Sequence, residues 1–201
     1  MFVVEAMAKL GSVIAVAVLI VLVVVSLPRL RGNKPVGSER LIGRSLPQFA
    51  APLTTGNSNK VANITQRQDQ HPKSRPACGV NLPGVFNSCR VERQSLVLAF
   101  WSNRSSTCLT QIDAFNRAAR QFPKTRFVAI GIDQQRSSAA AVARERGWSI
   151  PVAVDPDGAV SALYSVAGCP STFFVSNGLI RAVRLGRVDR ETLANELRKA
   201  G

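Results

Sequence analysis

Three apolar runs, each followed by a segment of a different periodicity, constrain this chain more than any other feature. S-L-V-L-A-F-W, residues 95–101, is uninterrupted, the pattern of a strand buried on both faces of a sheet. Cys108, Ile112, Phe115, Ala119 and Phe122 then recur at helical spacing. R-F-V-A-I-G-I-D predicts a second buried strand, and S-S-A-A-A-V-A-R-E-R, rich in helix formers, a second helix. I-P-V-A-V-D predicts a third, shorter strand, and D-G-A-V-S-A-L-Y-S-V a helix opening with a capping aspartate. S-T-F-F-V-S and L-I-R-A-V-R-L flank Asn-Gly, the strongest short hairpin signal, and a last helix starts with Asp189. Strands alternating with helices imply a mostly parallel sheet covered on both faces, with the terminal hairpin as an antiparallel edge. The expectation is an α/β domain over residues 41–201.

The N-terminal part cannot belong to that domain. Residues 10–28 hold no charged side chain, and S-V-I-A-V-A-V-L-I-V-L-V-V-V-S-L is long enough to cross the roughly 30 Å hydrocarbon layer as a helix. S-L-P-R-L-R follows and offers no small-residue cleavage site. We therefore expect a short tail over 1–9, an uncleaved transmembrane anchor over 10–28 and a polar stalk over 29–40. At 201 residues and 46% hydrophobic content the chain has room for one core besides this appendage.

Charge narrows the partners. Lys and Arg outnumber Asp and Glu by 26 to 12, and the excess is steepest over 28–93, with 11 basic and 3 acidic residues. No basic stretch is interleaved with stacking aromatics, so nucleic acid is not an expected partner. For a chain with a membrane anchor, attraction to anionic head groups is the simpler reading, beside that of a solvated basic surface. Arg29, Arg31 and Lys34 follow the apolar run while Lys9 alone precedes it, which by itself favours a cytosolic domain.

Cysteine usage points the other way. A hairpin is expected around Phe49–Thr65, and residues 67–93, punctuated by Pro and Gly, form an irregular insertion without a long helix or a central strand. Within it Cys78 and Cys89 bracket G-V-N-L-P-G-V-F-N-S. A disulfide closing so short a loop restricts the unfolded chain by about 3 kcal/mol on the entropy model. A metal site needs closer and more numerous ligands, and His71, in a polar loop, is the only histidine. A structural Cys78–Cys89 disulfide favours an oxidising compartment outside the cytoplasmic membrane. Neither a metal nor a cofactor is expected, and one histidine in a loop builds no serine-histidine-acid arrangement. Asn63-Ile-Thr matches a glycosylation pattern, a pattern that chance alone often supplies.

Two further motifs carry chemistry. F-W-S-N-R-S-S-T-C, ending at Cys108, resembles the strand-to-helix turn F-W-A-x-W-C-x-x-C of thioredoxin-like proteins, and V-A-G-C-P-S-T-F-F-V resembles their G-V-P-T-T-F with its cis-proline, here Pro170. The order of elements is similar too, in the flavour of membrane-anchored TlpA and AhpC/TSA (redoxin) thiol oxidoreductases. The resemblance implies a thioredoxin-like fold: a central mixed sheet, helices on both faces, and a C-terminal hairpin and helix. It puts the family's attacking cysteine on Ser105 and its resolving cysteine on Cys108. Ser105 cannot supply a thiolate, and Ala99 stands where the family has a buried acid. The residue before the cis-proline packs against the active-site turn in this fold, which makes Cys169 a candidate partner for Cys108.

The resemblance thus implies thiol–disulfide oxidoreductase or antioxidant activity through Cys108, paired with Cys169, with Pro170 shaping the groove and Ser105 orienting at the helix N-terminus. Protein thiols and disulfides, or peroxide, are the substrates it implies. Two alternatives stay open. Ser105-x-x-Cys108 is similar to the Thr-x-x-Cys of peroxiredoxins, with Arg104 as a charge donor, though Trp101 stands near the place of the loop-opening proline. A non-catalytic binding module also fits, with Cys108 as a small core residue.

Overall fold

The computed structural model describes residues 37–56, 64–65, 76–91 and 93–200. The expected anchor over 10–28, Asn63 and His71 lie outside them, and everything described falls in one compact unit, residues 36–201. Among the described residues no helix is long and apolar enough to cross a membrane.

The apolar run at 95–101 is the middle of the molecule. It forms β4 (Ser95–Trp101), flanked by β5 (Thr125–Ile132) and β7 (Ser171–Ser176), with β6 (Val152–Asp155) and β8 (Leu179–Leu185) at the edges, in the order β6-β5-β4-β7-β8. β4, β5 and β6 run parallel, while β7 is antiparallel to β4 and β8 to β7. The sheet is therefore mixed: the chain enters β7 antiparallel to β4, beside the centre and not only at the edge, and the Asn177-Gly178 hairpin then adds β8 antiparallel to β7.

Alternation along β4 sorts the core into two halves. Val97, Ala99 and Trp101 join one cluster with Cys108, Ile112 and Phe115 of α1 (Ser106–Gln121) and Leu193 and Leu197 of α4 (Arg190–Ala200). That cluster also takes Ala139 and Ala143 of α2 (Arg136–Glu145). Leu96, Leu98 and Phe100 point the other way, onto Phe49, Tyr164 and Val160 of α3 (Ala159–Leu163). Two apolar faces on one strand explain the lack of polar alternation in its sequence.

A second, three-stranded sheet, β2-β1-β3, contributes to the second half. β1 (Phe49–Pro52) pairs antiparallel with β2 (Ile64–Thr65), in the span where the sequence predicts a hairpin. β3 (Val85–Asn87) pairs with the other side of β1, so the 67–93 segment is less irregular than its composition suggests. Its strand is three residues long and its turn needs glycine: a Cβ on Gly56 would stand 2.5 Å from the Cα of Gly84, which itself has φ +74°.

The stalk expected over 29–40 gives up its last residues to the domain. Gly37–Leu41 is a short 3-10 helix whose Ser38 hydroxyl donates to the Ser165 carbonyl at 2.7 Å, and the Gly43 and Leu46 amides donate to Ile180 and Gly178 of the hairpin. Capping of α3 also differs from expectation. Asp157 accepts from the Ala159 amide, and the fully buried Asp155 carboxylate accepts from the Val160 and Ser161 amides and the Ser161 hydroxyl at 2.6–3.0 Å. A carboxylate at the end of β6 thus fixes α3 and, through it, Tyr164. The Tyr164 hydroxyl donates to the Pro47 carbonyl at 2.7 Å, its ring packs on Phe49, Phe100 and Phe173, and burial raises its pKa well above the ordinary tyrosine value. Only four residues lie between this anchored ring and Cys169.

Candidate active site

The turn after β4 delivers the chain into α1 with Ser105 as N-cap, its backbone extended at φ −133°, ψ 118°. Its hydroxyl oxygen accepts from the Cys108 amide at 3.4 Å, satisfying one of the donors a helix start leaves open. Cys108 is the third helical residue and completely buried. Cys108 therefore lies in the first turn of a 16-residue helix, at its positive end.

Cys169 reaches the same point from the other side of the sheet's central pair. Phe100 of β4 stands opposite Ser171 of β7, so the turn leaving β4 and the loop entering β7 are neighbours. The Cys169–Pro170 peptide is cis. The two sulfurs are bonded at 2.02 Å, with Cα atoms 5.7 Å apart, inside the range a disulfide requires. Cys169 is half-buried whereas Cys108 is sealed. Ser105, Cys108, Cys169 and Pro170 are thus brought into one locus.

Cys78 and Cys89 form a separate disulfide, Cα to Cα 5.4 Å, between the 3-10 helices Pro76–Gly79 and Ser88–Arg90. Asn87, which sequence reasoning passed over, organises this loop. Its amide donates to the Ala77 and Val80 carbonyls at 2.7 and 2.9 Å, and its oxygen accepts from the Cys89 amide at 2.9 Å. An Asn just ahead of Ser-Cys is the local signal for such a cap.

Trp148, Asp113, Gln134 and Thr172 were silent in the sequence. Trp101, fully buried, meets Trp148 edge-on at 4.8 Å, and Asp113 accepts from both the Trp148 indole at 2.7 Å and Arg146 at 2.8 Å. Gln134 donates to the Trp101 carbonyl at 3.4 Å, in space that Gly131 leaves open: a Cβ there would stand 2.9 Å from the Gln134 amide nitrogen. Thr172 lies opposite Ala99 in register, and its buried hydroxyl has no hydrogen-bond partner among the described residues. Arg104 pairs with Asp133 at 3.4 Å on the surface. Among the described residues no cluster of His, Cys, Asp and Glu is arranged to hold a metal ion.

The AhpC/TSA family matches the chain over residues 85–183, the span that contains both motifs and the cis-proline. The fold is thioredoxin-like, and the AhpC/TSA match spans just under half of the chain. Among solved structures it is similar to a thiol:disulfide interchange protein, DsbE, from Chlorobium tepidum, with a TM-score of 0.61 at 20% identity over 79% of this chain and 96% of that one. It is also similar to DsbF of MTB, with 0.59 at 19% over 77% and 96%. A secreted Mycobacterium tuberculosis disulfide oxidoreductase gives 0.53 at 17% over 58% and 89%. At these identities the likeness is one of fold. No curated protein matches the chain in sequence. In a thioredoxin-like frame the strand-to-helix turn and the cis-proline loop meet by construction, which is why two residues 61 positions apart share a bond here.

Proposed function

We propose that this domain is a thiol–disulfide oxidoreductase whose working pair is Cys108–Cys169, a pair formed between the helix start and the cis-proline loop rather than within one turn. Ser105 occupies the place of the family's attacking cysteine and serves as the helix cap. The observation that carries the reading is the disulfide itself: it joins a cysteine in the first turn of a helix to a half-buried one that lines an open groove. Protein thiols and disulfides are its substrates. The solved structures of similar fold described as thiol:disulfide interchange and disulfide oxidoreductase proteins support the substrate class.

We further propose that residues 10–28 tether the domain to the cytoplasmic membrane from outside. Two disulfides among the described residues suit an oxidising compartment and outweigh the charge asymmetry around the apolar run. A reporter fused to the C-terminus and active only outside the cytosol reads this placement, and an inactive fusion with full expression counts against it. The peroxidase alternative draws less support, because the Cys108 sulfur is sealed, the Ser105 hydroxyl caps the helix and Arg104 is engaged by Asp133.

The test is redox titration of the full-length chain against a thiol/disulfide buffer, followed by alkylation and peptide mapping. Cys108–Cys169 is expected to open and close reversibly in the native state while a dithiol substrate is turned over. A Cys108→Ala chain is expected to lose turnover completely, and full activity in that variant defeats the assignment.

A further inference from the structure

The two sulfurs of the proposed working pair are not equivalent. Cys108 is fully enclosed in the core formed by β4, α1 and α4. Cys169 is half-buried and lines an open groove of about 590 Å³ together with Ser38, Glu39, Ser165, Pro170 and Leu185. Leu185, a large apolar side chain at the end of edge strand β8, is 59% exposed there. An incoming thiolate needs a line of approach to the sulfur it attacks, along the S–S axis, and only Cys169 offers one to solvent.

We infer that substrate thiols attack Cys169, in the groove between the Gly37–Leu41 helix and the end of β8, and that Cys108 is the buried leaving sulfur. The inference rests on the oxidoreductase reading and specifies which half of the pair meets the substrate. The substrate class it implies is a cysteine in an extended polypeptide segment with an apolar neighbour to cover Leu185. In the first step a deprotonated substrate thiol bonds to the Cys169 sulfur. The Cys108–Cys169 bond breaks, and its electron pair leaves on Cys108 as a thiolate. In the second step another deprotonated thiol of the same substrate attacks the substrate sulfur of this mixed disulfide, and Cys169 departs as a thiolate. The substrate ends as a disulfide, the protein pair has gained two electrons, and both substrate protons have gone to solvent. Read backwards, the same steps reduce a substrate disulfide.

The structure favours Cys108 as the leaving group. Its sulfur sits at the start of α1, where unpaired helix amides and the dipole stabilise negative charge, and a better-stabilised thiolate leaves faster. The unpartnered Thr172 hydroxyl belongs to the same half of the core: Phe174, two residues on, points into the Cys108 cluster, and residues two apart on a strand share a face. In this arrangement the accessible sulfur comes from the cis-proline loop and the helix supplies the resolving one. Ser105 at the family's attacking position is then no defect, since attack has moved to the loop.

The experiment is trapping on the oxidised full-length chain. A neutral pentapeptide with one central cysteine is added, the reaction is quenched with acid within seconds, free thiols are alkylated and the adducts are mapped. The expected result is peptide on Cys169 and alkyl on Cys108, favoured over the reverse by at least about tenfold. Peptide on Cys108, at equal or greater yield, overturns the inference while leaving the oxidoreductase reading intact. No adduct on either cysteine until denaturant is added defeats that reading itself. Single variants give an independent measure. In Cys108→Ser, Cys169 is expected to react with N-ethylmaleimide in the native state; in Cys169→Ser, Cys108 is expected to react only on unfolding. Native reactivity in the opposite order sinks the assignment.

Discussion

Cys78–Cys89 and Cys108–Cys169 have nearly the same Cα separation, 5.4 and 5.7 Å, yet they sit in opposite kinds of surroundings. The first holds a segment with little else to hold it: between residues 76 and 91 only Ala77, Phe86 and Val91 are buried apolar side chains, and the one strand is three residues long. The second joins α1 to the loop before β7, two elements already fixed by the β4–β7 pairing and by the core. On the proposed reading, a cross-link that packing makes unnecessary, with one half-buried cysteine, opens without the fold coming apart. On that reading, position relative to the core, more than sulfur geometry, separates a staple from a reactive bond.

The sharpest way to break this contrast is activity. Serine at Cys108 or Cys169 is expected to lower thiol–disulfide exchange by at least about a hundredfold, while a Cys78→Ser, Cys89→Ser double variant keeps its rate within about twofold at a temperature where it stays folded. Exchange assays on the three chains decide it, and comparable losses in all three erase the distinction. Stability comes next. From sequence separations of 11 and 61 residues, loop entropy alone assigns about 3 kcal/mol to the first bond and about 4 kcal/mol to the second. Denaturant midpoints should therefore fall in both cases, but hydrogen exchange should tell them apart. Loss of Cys78–Cys89 is expected to deprotect the amides of 85–91, whereas opening Cys108–Cys169 leaves the β4 and β7 amides protected.

Smaller effects probe the starts of two helices, α1 and α4. Ser105→Ala removes the α1 cap and is expected to cost about 1 kcal/mol by chemical denaturation, with no unravelling around Cys89. A cost near zero places the helix start under the control of the disulfide instead. At α4 the Asp189 carboxyl is held below its usual value of 3.8, chiefly by the Thr192 amide at 2.7 Å and then by the Thr192 side chain. A lowered folded-state pKa means that its contribution is present above the unfolded value and is lost as pH falls through the folded one. In acid, α4 amides are expected to lose protection before those of α1, whose Ser105 cap carries no charge to titrate; simultaneous loss removes Asp189 from the account.

Much of the fold was legible because its core strands are buried on both sides. Uninterrupted runs at β4 and β5, helical stripes at α1 and the Asn177-Gly178 turn leave few alternatives to a covered mixed sheet. The second sheet was half legible. β1 and β2 showed as a hairpin, but β3 hid among Pro and Gly, where three residues make too short a pattern to read. Asp155 was hidden for another reason: at the end of a strand its carboxylate looks like a turn residue until α3 folds back onto it. Gln134, Asp113 and Thr172 gave no signal, since a single polar side chain in a loop, a helix or a strand declares neither its burial nor its partner.

By itself, the sequence determined the order of strands and helices, the cysteine at a helix start and the proline that follows Cys169, because each is a local pattern of side-chain type and spacing. Only the tertiary structure decided that Phe100 pairs with Ser171, which carries Cys108 and Cys169 to one point, and that one sulfur is sealed while its partner lines a groove. Register between strands and exposure of an atom are properties of packing between distant segments, and no window of sequence contains them.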